Sequence, residues 1–330
     1  MTNGARDLPR RRLGSSDIEV TCLGFGGGPV GGVGSEDAEA VLEAAWNGGI
    51  RYFDTAPLYG MSVSEQRVGS FLRTRPRDEF VLSTKVGRLL VPAATDESRL
   101  VVEFDYSRDG VGRSLNESLE RLGLERVDVL LCHDIDVYTH DDRQPDVFQR
   151  ALEGALPLLT ELKARGVVGA IGLGVNEWQV CEAVLEHVDV DCFLLAGRFT
   201  LLEQEALDTF LPRCVERDVS VIIGGPFNSG VLATADRDAA TYNYRRVSDE
   251  LWQRAQEIRR VCAAHDVDIR AAALQYPLRH PAVATIIPGV RSVAEVTQNL
   301  ELFSAPIPDA LWDDLASAGL TRYVEGGVLK

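Results

Sequence analysis

The stretch Arg51-Tyr-Phe-Asp54-Thr-Ala-Pro-Leu-Tyr59-Gly60 is a short apolar strand that ends in a carboxylate, then turns to present a phenol five residues later. Two later stretches end in the same manner. Phe80-Val-Leu-Ser-Thr-Lys85 delivers an ammonium, and Val127-Asp-Val-Leu-Leu-Cys-His133 delivers an imidazole. Polar groups at or just beyond the C-terminal ends of separate strands predict one shared site, because in a parallel barrel all those ends open onto one face.

Outward from 51–60 the chain alternates between two periodicities. Ser35-Glu-Asp-Ala-Glu-Ala-Val-Leu-Glu-Ala-Ala-Trp-Asn-Gly-Gly has a serine N-cap, an acidic first turn, helical spacing and a glycine stop. Further helices are expected over about 64–73, 110–122, 146–165, 176–187, 203–217, 248–265 and 292–302. Apolar strands are expected from Cys22, breaking into a glycine-rich loop, and over about 51–54, 80–85, 127–133, 167–173, 190–196, 219–223 and 282–287. Continuous apolar runs are strands buried on both faces, as in a parallel sheet. Eight such units in one chain predict an α/β fold of the (β/α)8 TIM barrel type. No linker or internal repeat divides the 330 residues, so a single domain is expected. Arg12-Leu-Gly-Ser-Ser-Asp predicts an N-terminal β-hairpin over about 10–21, ahead of a barrel over about 22–303. An extra C-terminal helix within Pro306–Leu320 and a tail complete 304–330. Three long excursions, about 86–109, 134–145 and 224–247, are read as loops on the site face.

Composition narrows the function. With 34 basic and 50 acidic residues the formal charge is −16, which opposes nucleic-acid and anionic-membrane partners. No run reaches the roughly 18 apolar residues of a membrane span, and the basic start is not followed by the apolar core of a signal peptide. The six cysteines form no C-x-x-C pair and mostly sit in apolar runs, so a reducing, cytoplasmic location is expected. Lysines are scarce, which sets Lys85 apart from an ordinary surface lysine. The glycines of Cys22-Leu-Gly-Phe-Gly-Gly-Gly-Pro do not make a dinucleotide-binding G-x-G-x-x-G with its downstream acid.

Singly, each polar group has an ordinary structural reading: Asp54 as a turn cap, Tyr59 as a turn aromatic, Lys85 as a snorkelling side chain, His133 as a satisfied core histidine. Together they suit proton-coupled hydride transfer at a carbonyl. A phenol titrates near ~10, too high for efficient proton transfer at neutral pH, and a neighbouring ammonium pulls it down. Asp54 would keep Lys85 charged and oriented, and His133 would hydrogen-bond the substrate oxygen. A Schiff-base role for Lys85 fits poorly, since it needs a depressed lysine pKa and Asp54 pushes the other way. A metal centre would need more ligands than His133, Asp134 and Asp136, so none is expected.

Asp54-Thr-Ala-x-x-Tyr59-Gly, Ser83-Thr-Lys85, Asp128-x-x-x-x-His133 and Ile287-Pro-Gly…Asn299 resemble, in order and spacing, the motifs of the aldo-keto reductase superfamily. The resemblance implies a nicotinamide cofactor across the C-terminal face of the barrel and the catalytic residues Asp54, Tyr59, Lys85 and His133. Phe104-Asp-Tyr-Ser, Gly172-Leu-Gly-Val-Asn176-Glu-Trp, Leu195-Ala-Gly-Arg198-Phe-Thr and Gly225-Pro-Phe-Asn-Ser-Gly look like the L-fucose and D-threo-aldose 1-dehydrogenases and the related pyridoxal 4-dehydrogenases. These oxidise a hemiacetal hydroxyl to a lactone with NAD or NADP. The cofactor contacts so implied are Gly27, Asn176, Gly225, Pro226, Phe227, Ser229, Gly289, Arg291, Glu295 and Asn299. The pattern departs from commoner members at Gly174-Val175, at Ala196 and near Gly224, where Phe227 would cover the nicotinamide ring instead of a tyrosine.

Glu295 stands where such enzymes often carry an arginine, and Gly289 replaces a lysine. A carboxylate repels a 2′-phosphate and accepts from a free ribose hydroxyl, so NAD is expected to be preferred, with NADP possible because of Arg291. Tyr106, His140, Trp178 and Arg198, together with Tyr138, are candidate substrate contacts. The expected activity is oxidation of the anomeric hydroxyl of a small-molecule sugar such as L-fucose, D-arabinose or L-galactose. A pyridoxal 4-dehydrogenase and a broad aldehyde reductase are the alternatives. A cofactor-binding regulatory subunit is the reading from another class.

Overall fold

In the computed structural model, residues 7–243 and 245–322 are described. Eight parallel strands form one sheet: Phe25–Gly26, Tyr52–Asp54, Val81–Val86, Val129–His133, Ala170–Val175, Cys192–Ala196, Ser220–Gly224 and Val283–Ile287. Each pairs with the next in that order. Parallel bridges Leu23 to Ile286 and Gly26 to Gly289 bring the first strand against the last, so the sheet is a nearly closed barrel. Helices follow the strands and surround it, giving the (β/α)8 arrangement.

The strands are buried on both faces because two apolar layers meet there. Inside the barrel, Tyr52, Val129, Leu131, Ala170, Cys192, Leu194, Ile222 and Ala284 pack together. Outside it, residues such as Phe53, Leu82, Leu130, Phe193 and Val221 pack against the helices. The alternation of neighbours such as Leu130 and Leu131 between these layers follows from the two-residue period of a strand.

The N-terminal hairpin, Arg10–Arg12 antiparallel to Glu19–Thr21, closes the N-terminal end of the barrel. The hairpin inserts Leu13 and Val20, both fully buried, into the inner layer. Gly14 has φ +58°, and a Cβ there would lie 2.0 Å from the Asp191 carbonyl oxygen. Buried Asp191 clamps the turn by accepting from Ser15 Oγ (2.9 Å), Lys163 Nζ (2.6 Å) and the Ile171 N–H (2.9 Å). Asp191→Ala is expected to lower unfolding free energy by about 3 kcal/mol, since it strands a buried N–H and a charged partner. Urea denaturation checks this; a loss under ~1 kcal/mol would mean the clamp is incidental.

Three expectations need correction. The 86–109 excursion is not a plain loop but a β-hairpin, Arg88–Ala93 against Asp96–Phe104. Pro92 is accommodated at an irregularity of this ladder, where the register shifts between Pro92 and Ala93. The helix expected over 146–165 is two helices, Gln144–Arg150 and Leu156–Ala164, joined by a π-helical turn at Ala151–Ala155. The widened turn precedes Pro157, which has no N–H for the carbonyl four residues back. A helix at Ile269–Gln275 was missed, although Asp268 caps it by accepting from the Arg270 N–H. The expected C-terminal helix is present as Asp309–Ser317; the tail beyond Arg322 and the first six residues lie outside the described residues. Among the described residues, no helix is long and apolar enough to cross a membrane.

Candidate active site

Asp54 closes the second strand in register with Ser83 of the third, and Lys85 lies two residues further on the same face. Both charges are almost fully buried. Lys85 Nζ donates to Asp54 Oδ2 (2.7 Å) and Oδ1 (2.9 Å) and to the Thr55 carbonyl (3.0 Å). Ser83 Oγ donates to Asp54 Oδ1 at 2.7 Å and lies 2.9 Å from the Tyr52 hydroxyl. Burial alone would pull Lys85 down, but the facing Asp54 and Tyr59 outweigh it and hold the ammonium above its ordinary value. Burial also raises the Asp54 carboxyl, against the pull of Lys85 and Ser83.

Tyr59 is placed by a tight turn in which its N–H donates to the Ala56 carbonyl and its own carbonyl accepts from the Ser64 N–H. Lys85 Nζ lies 4.6 Å from the Tyr59 ring centroid. Lys85 pulls the phenol down as expected, but desolvation is larger and leaves Tyr59 above its ordinary value. That net direction corrects the expectation of a lowered phenol. The protein around the ring disfavours phenolate more than one shared ammonium favours it.

His133 ends the fourth strand, its ring edge-on to Tyr59 with centroids 6.2 Å apart. Burial, then Lys85 and Arg88, hold it neutral, well below the ordinary histidine range. Its Nδ1 is buried without a partner and its Nε2 lies 3.3 Å from Asp134 Oδ2. Asp134 pairs with Arg88 at 2.7 Å and accepts from Asn176 Nδ2 at 3.0 Å. Burial pushes the Asp134 carboxyl up to about 7 despite Arg88. Neither Arg88 nor Asp134 stood among the expected catalytic or substrate residues. An acid directly after the strand-end histidine was the available signal for Asp134. Arg88 had none, because its hairpin was unrecognised.

A cleft of about 950 Å³ runs across the same face. Nine of the ten expected cofactor contacts line it: Asn176, Gly225, Pro226, Phe227, Ser229, Gly289, Arg291, Glu295 and Asn299. Arg198 and Tyr138 also line it, as do Arg270 and Gln298, which sequence reasoning missed. Asn176 joins the two regions, lining the cleft while bonded to Asp134. Positive φ at Gly225, Asn228, Ser229 and Gly230 makes a concave loop of the kind whose N–H groups receive anions. Ser292 Oγ accepts from the Glu295 N–H, and Glu295 Oε2 accepts from the Arg291 N–H at 2.7 Å. This cap fixes the Glu295 carboxylate at the edge of the cleft. A phosphate-bearing cofactor with an adenosine at the Glu295 end fits these groups.

Gly27 does not line the cleft. Its N–H donates to the Asp54 carbonyl and its carbonyl accepts from Ser64 Oγ, and a Cβ would sit 2.5 Å from the Asp54 oxygen. It lets the first strand approach Asp54. Three of the expected substrate contacts are also misplaced. Trp178 stacks on Phe210 at 6.4 Å, within the outer helical layer. Tyr106 and His140 are buried beneath the rim: the Tyr106 hydroxyl donates to the His133 and Asp134 carbonyls, both at 2.8 Å, and His140 Nε2 bonds the Asp134 carbonyl at 2.8 Å. Among the described residues no three His, Cys, Asp or Glu side chains converge as a metal site.

The model of the Aldo/keto reductase family matches residues 22–319. A pyridoxal 4-dehydrogenase of Microbacterium luteolum is 42% identical over 335 residues, covering 94% of this chain and 97% of that protein. A D-threo-aldose 1-dehydrogenase of a Pseudomonas species is 41% identical over 325 residues, covering 93% and 96%. An aldo-keto reductase of Bacillus halodurans, solved in its holo form, superposes with a TM-score of 0.78 at 24% identity, across 96% of this chain and 97% of that one. At that identity the likeness is one of fold.

Proposed function

This chain belongs to the aldo/keto reductase family and is a nicotinamide-dependent oxidoreductase, and on that premise we propose that it oxidises the anomeric hydroxyl of an aldose to the lactone, with NAD preferred. The observation that carries the proposal is the buried Asp54–Lys85 pair beside Tyr59 and His133, joined to the cleft through Asp134 and Asn176. When bound, the nicotinamide supplies the hydride acceptor. Tyr59, as the phenolate that Lys85 favours, takes the hydroxyl proton and becomes the neutral phenol. Asp54 keeps Lys85 protonated and aimed. Neutral His133 hydrogen-bonds the reacting oxygen and orients it.

Both relatives near 40% identity are named for substrates of the two expected kinds, an aldose and pyridoxal. Arg198, Asn176 and Asn243 give the cleft hydrogen-bonding groups suited to a polyol. Phe227 and Tyr138, which also line it, favour pyridoxal as the second reading. The test is NADH and NADPH formation with L-fucose, D-arabinose, L-galactose, D-glucose and pyridoxal. Rapid turnover of L-fucose-like sugars is expected. Turnover of pyridoxal alone would replace the substrate and keep the chemistry. Reduction of simple aldehydes alone, or cofactor binding without any turnover, would overturn the aldose reading in favour of an aldehyde reductase or a regulatory subunit.

The NAD preference rests on Glu295, held by its cap where it would accept from a ribose 2′-hydroxyl and repel a 2′-phosphate. Glu295→Gln is expected to raise the ratio of kcat/KM for NADP over NAD by about tenfold, roughly 1.4 kcal/mol. An unchanged ratio would remove Glu295 from cofactor selection. The six cysteines are all free and buried, which supports the reducing, cytoplasmic location.

A further inference from the structure

We propose that Asp134 is a specificity-determining residue of this site, whose carboxylate accepts a hydrogen bond from a second substrate hydroxyl, on the carbon next to the one oxidised. The inference rests on the aldose reading and names the substrate feature that the site selects.

The backbone is built to hold this carboxylate. Asp134 has φ +47°, a left-handed conformation that non-glycine residues adopt at a cost of about 1 kcal/mol or more. Four bonds fix it there. Its N–H donates to the Gly174 carbonyl at 2.8 Å, and the Tyr106 hydroxyl and His140 Nε2 both bond its own carbonyl at 2.8 Å. Tyr106 also donates to the preceding His133 carbonyl. The result is that the side chain folds back beside the imidazole, with Oδ2 3.3 Å from His133 Nε2.

Arg88 and Asn176 explain how the charge is tolerated, but not why it is there. An apolar pair of similar volume costs less to bury than an ion pair. The hairpin nonetheless delivers Arg88 to within 2.7 Å of Asp134 Oδ2, and Asn176 donates to Oδ1. Ionised above about pH 7, the carboxylate has about four acceptor positions, so these two donors leave capacity free. The Oδ2 edge borders the nitrogen proposed to hold the reacting oxygen. Vicinal sugar oxygens are separated by about one hydrogen-bond length. A substrate oxygen on His133 Nε2 therefore brings its vicinal neighbour within reach of Asp134, and a hydroxyl has the proton that the carboxylate accepts. Asn176 lies on the cleft and on Asp134 at once, which ties this acceptor to the seat of the cofactor.

The test compares L-fucose with 2-deoxy-L-fucose, as kcat/KM with saturating NAD, in the native enzyme, Asp134→Ala and Asp134→Asn. The native enzyme is expected to prefer the 2-hydroxy sugar by about 10- to 100-fold, the worth of a hydrogen bond to a charged acceptor. Asp134→Ala is expected to bring the ratio within about threefold. Asp134→Asn keeps the shape and one acceptor oxygen, and should fall between. A loss of His133 support alone would slow both sugars alike and leave the ratio unchanged. An unchanged ratio in both variants, or a native ratio within threefold, overturns the inference and leaves the aldose reading standing. Absence of turnover with either sugar in the native enzyme overturns that reading and the inference with it.

Discussion

A Tyr59→Phe enzyme is expected to lose about 10²- to 10⁴-fold in kcat for sugar oxidation, the range for removing a positioned proton-transfer group. The loss should fall on kcat, with cofactor affinity retained. Tyr59 is held by its own turn through Ala56 and Ser64, whereas the cleft is lined by Pro29, Gly32, Val33, Tyr138 and residues from Asn176 onward. Phenylalanine keeps the ring that faces Lys85 and His133 and removes the proton acceptor alone. Stopped-flow turnover and NAD titration by fluorescence separate the two effects. A variant with less than a tenfold loss would show that another group takes the proton. The phenol also stands above its ordinary value in the ligand-free chain, because burial outweighs Lys85. The native rate should therefore rise towards alkaline pH, and the rise should vanish in the variant.

Lys85→Met is expected to be the most damaging single change, because it acts on stability as well as on turnover. It leaves the Asp54 carboxylate buried with Ser83 as its remaining side-chain donor. Breaking a buried pair in this way typically costs about 3–5 kcal/mol. Lys85 stands above its ordinary value in the folded chain, so its stabilisation is complete below the unfolded value near ~10.5 and is lost as pH rises through the folded one. Urea unfolding at neutral pH therefore reads the whole cost. The double variant Asp54→Leu/Lys85→Met should recover part of it, since no charge is then stranded. A Lys85→Met midpoint within ~1 kcal/mol of native would mean that the two groups are buried without being ionised.

The barrel was legible because its signal repeats. Strands 51–54, 80–85 and 127–133 are short apolar runs between helical periodicities, and the period switch marks each boundary regardless of tertiary context. The polar ends of those strands were legible for the same reason, since register alone carries Asp54, Lys85 and His133 to one rim. The excursions were read less well. Pro92 masks the hairpin that delivers Arg88, and the role of Pro157 in a π-helical turn depends on packing that no local pattern encodes. Side-chain direction was the weakest point. Tyr106 and His140 looked like substrate contacts by composition, but whether a rim aromatic faces the cleft or the protein below depends on the turn at Asp134. Glycine is similarly ambiguous in sequence: Gly27 serves a close backbone approach, while Gly225 helps shape the cleft.

The hairpin that closes the far end of the barrel also sets a timetable for folding. Arg11 bonds the carbonyls of Leu278 and Val283, Arg12 pairs with Asp218, and the Gly14 N–H donates to Ser220 Oγ. These contacts join residues more than 200 positions apart in the chain. During synthesis, the hairpin must wait for residues 218 to 283 before it can dock. Leu13 and Val20 remain uncovered for that interval. Contacts so distant in sequence repay their loop-closure entropy only late in folding. The hairpin is therefore expected to be among the last segments protected in a refolding hydrogen-exchange experiment, although its Leu13 and Val20 are fully buried in the finished molecule.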